Sequence, residues 1–133
     1  MSGYYHYMSP EAVRGLPTGE AADVFTLCVM LCELVGGEHP LGVDATPRRF
    51  EPSLDVLERI RDMRYRIPYA CGPFLDVIRR NLDRDPAHRM SLAELKEALL
   101  DAATRAGLDT GEHVIARLVA PGSDDADTVD LER

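Results

Sequence analysis

A run of apolar side chains from about Ala22 to Val35 constrains this chain more than any other segment. Val24, Phe25, Leu27, Cys28, Val29, Met30, Leu31, Leu34 and Val35 make it apolar almost all round. A helix of this kind belongs inside a domain, with other elements packed around it. On this reading Met30 and Leu34 are core residues. Gly36-Gly37 ends the helix and Pro40 prevents a restart. The longest uncharged stretch, Val24 to Cys32, is nine residues, whereas a bilayer span needs about 20.

The flanking segments carry local helix signals. Ser9 caps a short helix with Pro10 at its first position and Glu11 at the positive end of its dipole, and Gly15 and Pro17 stop it. Residues 38–52 hold Pro40, Gly42, Pro47 and Pro52 and read as an irregular loop. Ser53 is expected to cap a helix through residue 66, with Leu54, Leu57, Ile60 and Arg61 at helical spacing and Asp55–Arg59 and Asp62–Arg66 pairs four apart. Arg59, Arg61, Arg64 and Arg66 alternate with acids, which makes a solvated face a better reading than a phosphate site.

After Pro73 a third long helix is expected, with Phe74, Leu75, Val77, Ile78 and Leu82 as its stripe, broken by Asp83-Arg84-Asp85-Pro86. Ser91 and Glu94 form a capping box that opens a helix through Leu95, Ala98, Leu99 and Ala102, closed by Gly107. Residues 112–120 read as a further short helix, and the segment after Pro121 as a disordered tail. No strand signal and no internal repeat stands out, so the expected fold class is all-α.

The net charge of −8 argues against nucleic acid as the main partner, and residues 123–133 contribute 5 − 1 = 4 of those negative charges. The N-terminus lacks the charged and apolar regions of an export signal, so the expected location is cytoplasmic and no membrane partner is expected. Three cysteines in such a chain read as reduced thiols, and Cys28 and Cys32, four apart, as small core residues. His6, His39, His88 and His113 are scattered and read as surface or loop residues.

Three short patterns in order resemble the C-terminal lobe of a bacterial, eukaryotic-like serine/threonine protein kinase. Tyr7-Met8-Ser9-Pro10-Glu11 resembles the Ala-Pro-Glu segment that closes the activation loop. Asp23-Val24-Phe25-Thr26-Leu27-Cys28, followed by Glu33, Gly37 and Pro40, resembles the central buried helix and its exit. Leu82-Asp83-Arg84-Asp85-Pro86 with Arg89 resembles the link between the last two helices. The match runs over roughly residues 3–101, and the expected organisation is a kinase C-lobe segment over 1–106, an extension over 107–120 and an acidic tail over 121–133.

The resemblance implies roles. Glu11 is expected to form a buried, bidentate ion pair with Arg89. Asp23 matches the aspartate that anchors the catalytic loop, although the residue type alone reads as an ordinary N-cap. The helix beginning at residue 53, with Leu57, Arg61 and Arg64, matches a common docking surface. Phosphoryl transfer in this family needs a Gly-rich loop, a lysine on the phosphates, a catalytic-loop Asp and Asn, and the Asp of Asp-Phe-Gly. The sequence contains none of these, and its sole lysine, Lys96, falls in the last helix. Tyr4 also stands where the family usually has a threonine, Cys28 where glycine is usual and Phe25 where tryptophan is commoner.

No catalytic, metal or cofactor residue is therefore assigned, and no ATP binding is expected. The function expected is that of a pseudokinase-like protein-binding module, with the C-terminal part of an active kinase as the alternative. A protein partner or self-association is expected, through an opened surface of Tyr4, Tyr5, Tyr7 and Phe25.

Overall fold

A computed structural model of the chain describes residues 5–42 and 54–108. Among these there are α-helices and 3₁₀ turns and no strand. Helix α1 (Pro10–Val13) is capped by Ser9, whose hydroxyl accepts from the Ala12 N–H at 3.3 Å. Helix α2 (Glu20–Gly36) follows, then α3 (Leu54–Arg61), α4 (Leu75–Asn81) and α5 (Leu92–Arg105). Tyr4, the Ser53 cap, the loop from 43, the expected helix over 112–120 and the acidic tail lie outside the described residues.

Helix α2 is the hub. Its Val24, Phe25, Cys28, Val29 and Cys32 are buried against Cys71, Ile78, Leu82 and Leu95 from later in the chain. Helices α4 and α5 and the 3₁₀ segment Tyr69–Phe74 pack on it. It ends where Gly37 takes a left-handed φ of 78° and returns its N–H to the Glu33 carbonyl. No helix among the described residues is long and apolar enough to cross a membrane.

Several local expectations shift. Asp23 does not cap α2: Gly19 holds that position and Asp23 lies exposed in the first turn. Helix α3 stops at Arg61, well short of residue 66, because Met63 adopts a left-handed φ of 55°. Asp62 therefore pairs with Arg61 and Arg64 at 3.7 and 3.1 Å, and Arg66, now beyond the helix, donates its backbone N–H to the Pro40 carbonyl at 2.7 Å. The Asp55–Arg59 pair is present at 2.7 Å. The helix after Pro73 is short, since the chain first runs as a 3₁₀ segment through Gly72 at φ 54°.

The capping box is complete, with the Glu94 N–H on Ser91 Oγ at 3.1 Å and the Ser91 N–H on Glu94 Oε1 at 3.2 Å. Buried Asn81 spans the link before it: Nδ2 donates to the Val77 carbonyl at 2.9 Å and Oδ1 accepts from the Met90 N–H at 2.8 Å. The three cysteines are free and buried. Cys32 and Cys71 bring their sulfurs within 3.8 Å across 39 residues of chain. Burial pushes the Cys28 and Cys32 thiols up to about 12, which leaves them unreactive.

A glycine in the last turn of α2 is required by this packing. A Cβ on Gly36 would meet Cys71 Sγ at 2.8 Å and Pro68 Cγ at 3.3 Å. Alanine in a helix normally gains about 1 kcal/mol over glycine. Here Gly36→Ala is expected to lower the thermal midpoint instead. Adding Cys71→Ala should recover part of that loss relative to Cys71→Ala alone, and equal losses in both backgrounds would dismiss the steric account.

Candidate functional site

Arg89 gathers three parts of the chain. Its Nη1 and Nη2 donate to Glu11 Oε2 and Oε1 at 2.6 and 2.8 Å, a two-pronged pair across 78 residues. The same guanidinium donates to the Ala21 carbonyl at 2.9 Å, the Asp83 carbonyl at 2.9 Å and the Arg84 carbonyl at 3.4 Å. Its Cζ lies over the Phe25 ring, 4.8 Å from the centroid, and Phe25 meets Tyr65 edge-on at 5.4 Å. Helix α1, the start of α2 and the link between α4 and α5 are thus tied to one buried cation.

Burial pulls the Glu11 carboxyl upward, but the Arg89 guanidinium, with hydrogen bonds from the Glu11 N–H and Ser9, outweighs it and holds the group below its ordinary value. Phe25 is 0% exposed. The opened surface expected from Tyr4, Tyr5, Tyr7 and Phe25 is therefore not formed by Phe25, which the Arg89 network covers. Tyr65, which packs on it, has a buried hydroxyl without a hydrogen-bond partner among the described residues, and burial raises its pKa.

The open apolar surface lies on the other side of α2. Leu27, Met30 and Leu34 are 45%, 50% and 82% exposed. Met30 and Leu34 are therefore not core. The three follow one another at helical spacing, i, i+3, i+7, and form a second stripe beside the buried one. With Leu31, Tyr7, Leu95 and Leu99 they line a groove of about 630 Å³, with Glu33 the one charged residue on its wall among the described residues. Tyr7 is held on its wall: its hydroxyl donates to Glu33 Oε1 at 2.6 Å, and its carbonyl accepts from Thr26 Oγ1 at 2.7 Å. Burial, then the Glu33 contact, raises the Tyr7 hydroxyl to about 12.

His39 lies in the loop after α2, as expected, and is buried there. Its Nδ1 accepts from the Leu41 N–H at 3.1 Å and Nε2 lies 2.8 Å from the His6 carbonyl. Both bonds form only when the ring is neutral with its proton on Nε2. Burial lowers the pKa of both His39 and His6. His88 stays exposed, near Asp83 and Asp85. No cluster among the described residues has the ligands to hold a metal ion.

The remaining expected site residues are not gathered together. The Asp23 side chain makes no hydrogen bond or ion pair among the described residues. Leu57 is half-buried, while Arg61 and Arg64 are exposed and both approach Asp62. Sequence reading missed the Leu27–Met30–Leu34 stripe, although its spacing was visible. It also missed the contact of His39 with His6, for which no sequence signal exists.

Two measurements follow. Removing either partner of a buried pair costs about 3–5 kcal/mol, so Arg89→Ala and Glu11→Ala should each lower stability by that order, and the double variant by much less than the sum. Additive losses would deny direct coupling. Against pH, the contribution of Glu11, whose pKa is depressed from 4.5, is complete above that value and is lost as the pH falls through the lowered one. His39, depressed from 6.5, loses its contribution earlier, as the pH drops below 6.5. The decline beginning below that point should become shallower in His39→Gln, and an unchanged slope would reject the neutral-ring assignment.

Comparison with known proteins places this arrangement. Residues 1–100 match the family model "Protein kinase domain". The chain is 37% identical over 100 residues to the serine/threonine-protein kinase PAK mbt of Drosophila melanogaster, covering 70% of this chain and 14% of that protein. It is 32% identical over 99 residues to the serine/threonine-protein kinase STY17 of Arabidopsis thaliana, covering 74% of this chain and 16% of that one. The chain thus spans about one-sixth or less of the length of these relatives. In structure it is similar to the twitchin kinase region from C. elegans, with a TM-score of 0.56 and 23% identity, covering 92% of this chain and 19% of that one. With helices throughout its described part and a kinase domain match over three-quarters of its length, this chain belongs to the protein kinase family, as an all-α segment of the C-lobe type.

Proposed function

We propose that the chain is a non-catalytic kinase C-lobe module that binds a protein across the open stripe of α2. The carrying observation is the exposed row Leu27, Met30 and Leu34 above an apolar groove, since a contiguous apolar surface of this kind is a mark of an interaction site. The sequence has no Gly-rich phosphate loop, no His-Arg-Asp and no Asp-Phe-Gly, and Lys96 is exposed on α5. Groups that would hold nucleotide and metal in this family are therefore not supplied by this chain. In this reading the module works in the cytoplasm, and Leu57, Arg61 and Arg64 offer a second docking face.

A second reading is that these residues complete an active serine/threonine kinase whose ATP-binding half is supplied by other residues. Asp23 favours it: an exposed carboxylate with no partner among the described residues sits where the family's aspartate holds the catalytic loop.

Calorimetry of the purified chain is expected to show no magnesium-dependent binding of ATP, and incubation with a general acceptor protein no phosphorylation. Tight binding of Mg-ATP would overturn the first reading. In-frame His-Arg-Asp and Asp-Phe-Gly codons directly upstream in the DNA would favour the second.

A further inference from the structure

We propose that the pocket bounded by Arg59, Arg64 and Arg66 binds the phosphate of a phosphorylated serine or threonine on a protein partner. This goes beyond the α2 groove, with which the pocket shares no lining residue.

The fold brings the three guanidinium groups together. On one continuous helix Arg64 would point about 140° away from Arg59. Helix α3 ends instead in a Schellman turn: Met63, at φ 55°, returns its N–H to the Ile60 carbonyl at 3.1 Å, and Arg64 returns its own to the Arg59 carbonyl at 2.9 Å. Tyr65 then packs its ring on Phe25, and the arginines on either side of it line the pocket. The loop after α2 supplies the anchor. Arg59 Nη1 donates to the Leu41 carbonyl at 2.9 Å, and the Arg66 backbone N–H donates to the Pro40 carbonyl at 2.7 Å. Two consecutive carbonyls thus hold both arginines beside one pocket of about 610 Å³. Ligand clefts run from about 300 to 1,000 Å³.

The charges call for an anion. Arg59 Nη2 meets Asp55 at 2.7 Å, and Arg64, largely in solvent, meets Asp62 at 3.1 Å. Surface pairs of this kind contribute little and give way to a stronger anion. The Arg66 guanidinium has no carboxylate partner among the described residues. His39 also borders the pocket, but its two ring nitrogens are spent on the Leu41 N–H and the His6 carbonyl. Glu38 is the one carboxylate on the lining among the described residues. A phosphorylated side chain carries three acceptor oxygens and about −1.5 to −2 charges. It meets three guanidinium forks better than a carboxylate, which brings two oxygens and a single charge.

The rest of the lining calls for a protein as the source. Pro40, Leu41, Ile67 and Pro68 add apolar surface beside the arginines, and Tyr69, on the same lining, is 93% exposed. Free phosphate leaves these groups unused. Residues flanking a phosphorylated side chain cover them, in the manner by which arginine clusters read phosphorylated segments.

The test is a magnetic-resonance titration of the isotope-labelled full chain, read at its arginine side-chain N–H signals. The probes are inorganic phosphate and two pools of short peptides with random flanks, one with phosphoserine at the centre and the other with serine. The phosphoserine pool is expected to shift the Arg59, Arg64 and Arg66 signals saturably, and to bind at least about tenfold more tightly than the serine pool or inorganic phosphate. Arg66→Gln, at an exposed position and with its backbone N–H kept, should weaken binding about tenfold. Arg79→Gln, on the exposed side of α4 and outside the pocket, should leave it unchanged. Glu38→Gln should tighten binding about threefold, a gain that damage to the fold does not produce. Equal responses to the two peptide pools would overturn the proposal, and equal losses in Arg66→Gln and Arg79→Gln would overturn it in favour of diffuse attraction. Inorganic phosphate that binds as tightly as the phosphoserine pool would overturn it in favour of a site for the free anion.

Discussion

One guanidinium holds the architecture together. Arg89 lies on the short link between α4 and α5, just after the 3₁₀ turn Pro86–His88, and its side chain ties that link to the rest of the chain. It donates to carbonyls at Asp83 and Arg84 within the link, to Ala21 at the start of α2, and to both oxygens of Glu11 on α1. A lysine could not reproduce this, because only a planar fork reaches a carboxylate two-pronged while its remaining N–H groups meet carbonyls on other sides. Burying such a cation is costly unless every donor is used. All five guanidinium N–H groups are used, and the one aromatic ring of α2, Phe25, packs against the cation with Tyr65 beside it.

With one side of α2 committed to Arg89 and to the cysteine-rich core, the opposite side is left over. From Leu27 to Leu34 its exposed row is apolar too. The helix therefore carries two stripes, of which Phe25, Cys28, Val29 and Cys32 are covered by α4, α5 and the 69–74 segment, and Leu27, Met30 and Leu34 are not. Leu34 is more open to solvent than a leucine of its surroundings needs to be, and composition offers no reason for it. A contiguous open apolar stripe of this kind is a mark of an interaction site.

The N-terminal turn has a smaller but related task. Tyr7 and His39, from either end of α2, meet at 5.3 Å between ring centroids, and His6 joins them. Their polar atoms are spent on Glu33, on the His6 carbonyl and on the Leu41 N–H. This fastens residues 5–7 beside the groove and leaves Glu33 on its wall, so the charge there is set by residues far apart in sequence.

What the sequence by itself determined is whatever depends on near neighbours and on the identity of short motifs. The Ser9 cap, the Ser91–Glu94 box, the Gly37 stop and the all-helical class were legible because each is settled within about one helical turn. The family was legible from three motifs in order, and only through that resemblance was Glu11 matched with Arg89, since no periodicity links positions 78 apart. Tertiary structure alone decided the rest. It ended α3 at Arg61 through the left-handed Met63, buried His39, brought Cys32 to Cys71 and closed Phe25 from solvent. It also chose which stripe of α2 would stay open. A helix apolar on every side does not state which side its neighbours will cover, because burial belongs to the pair of surfaces in contact and not to either one.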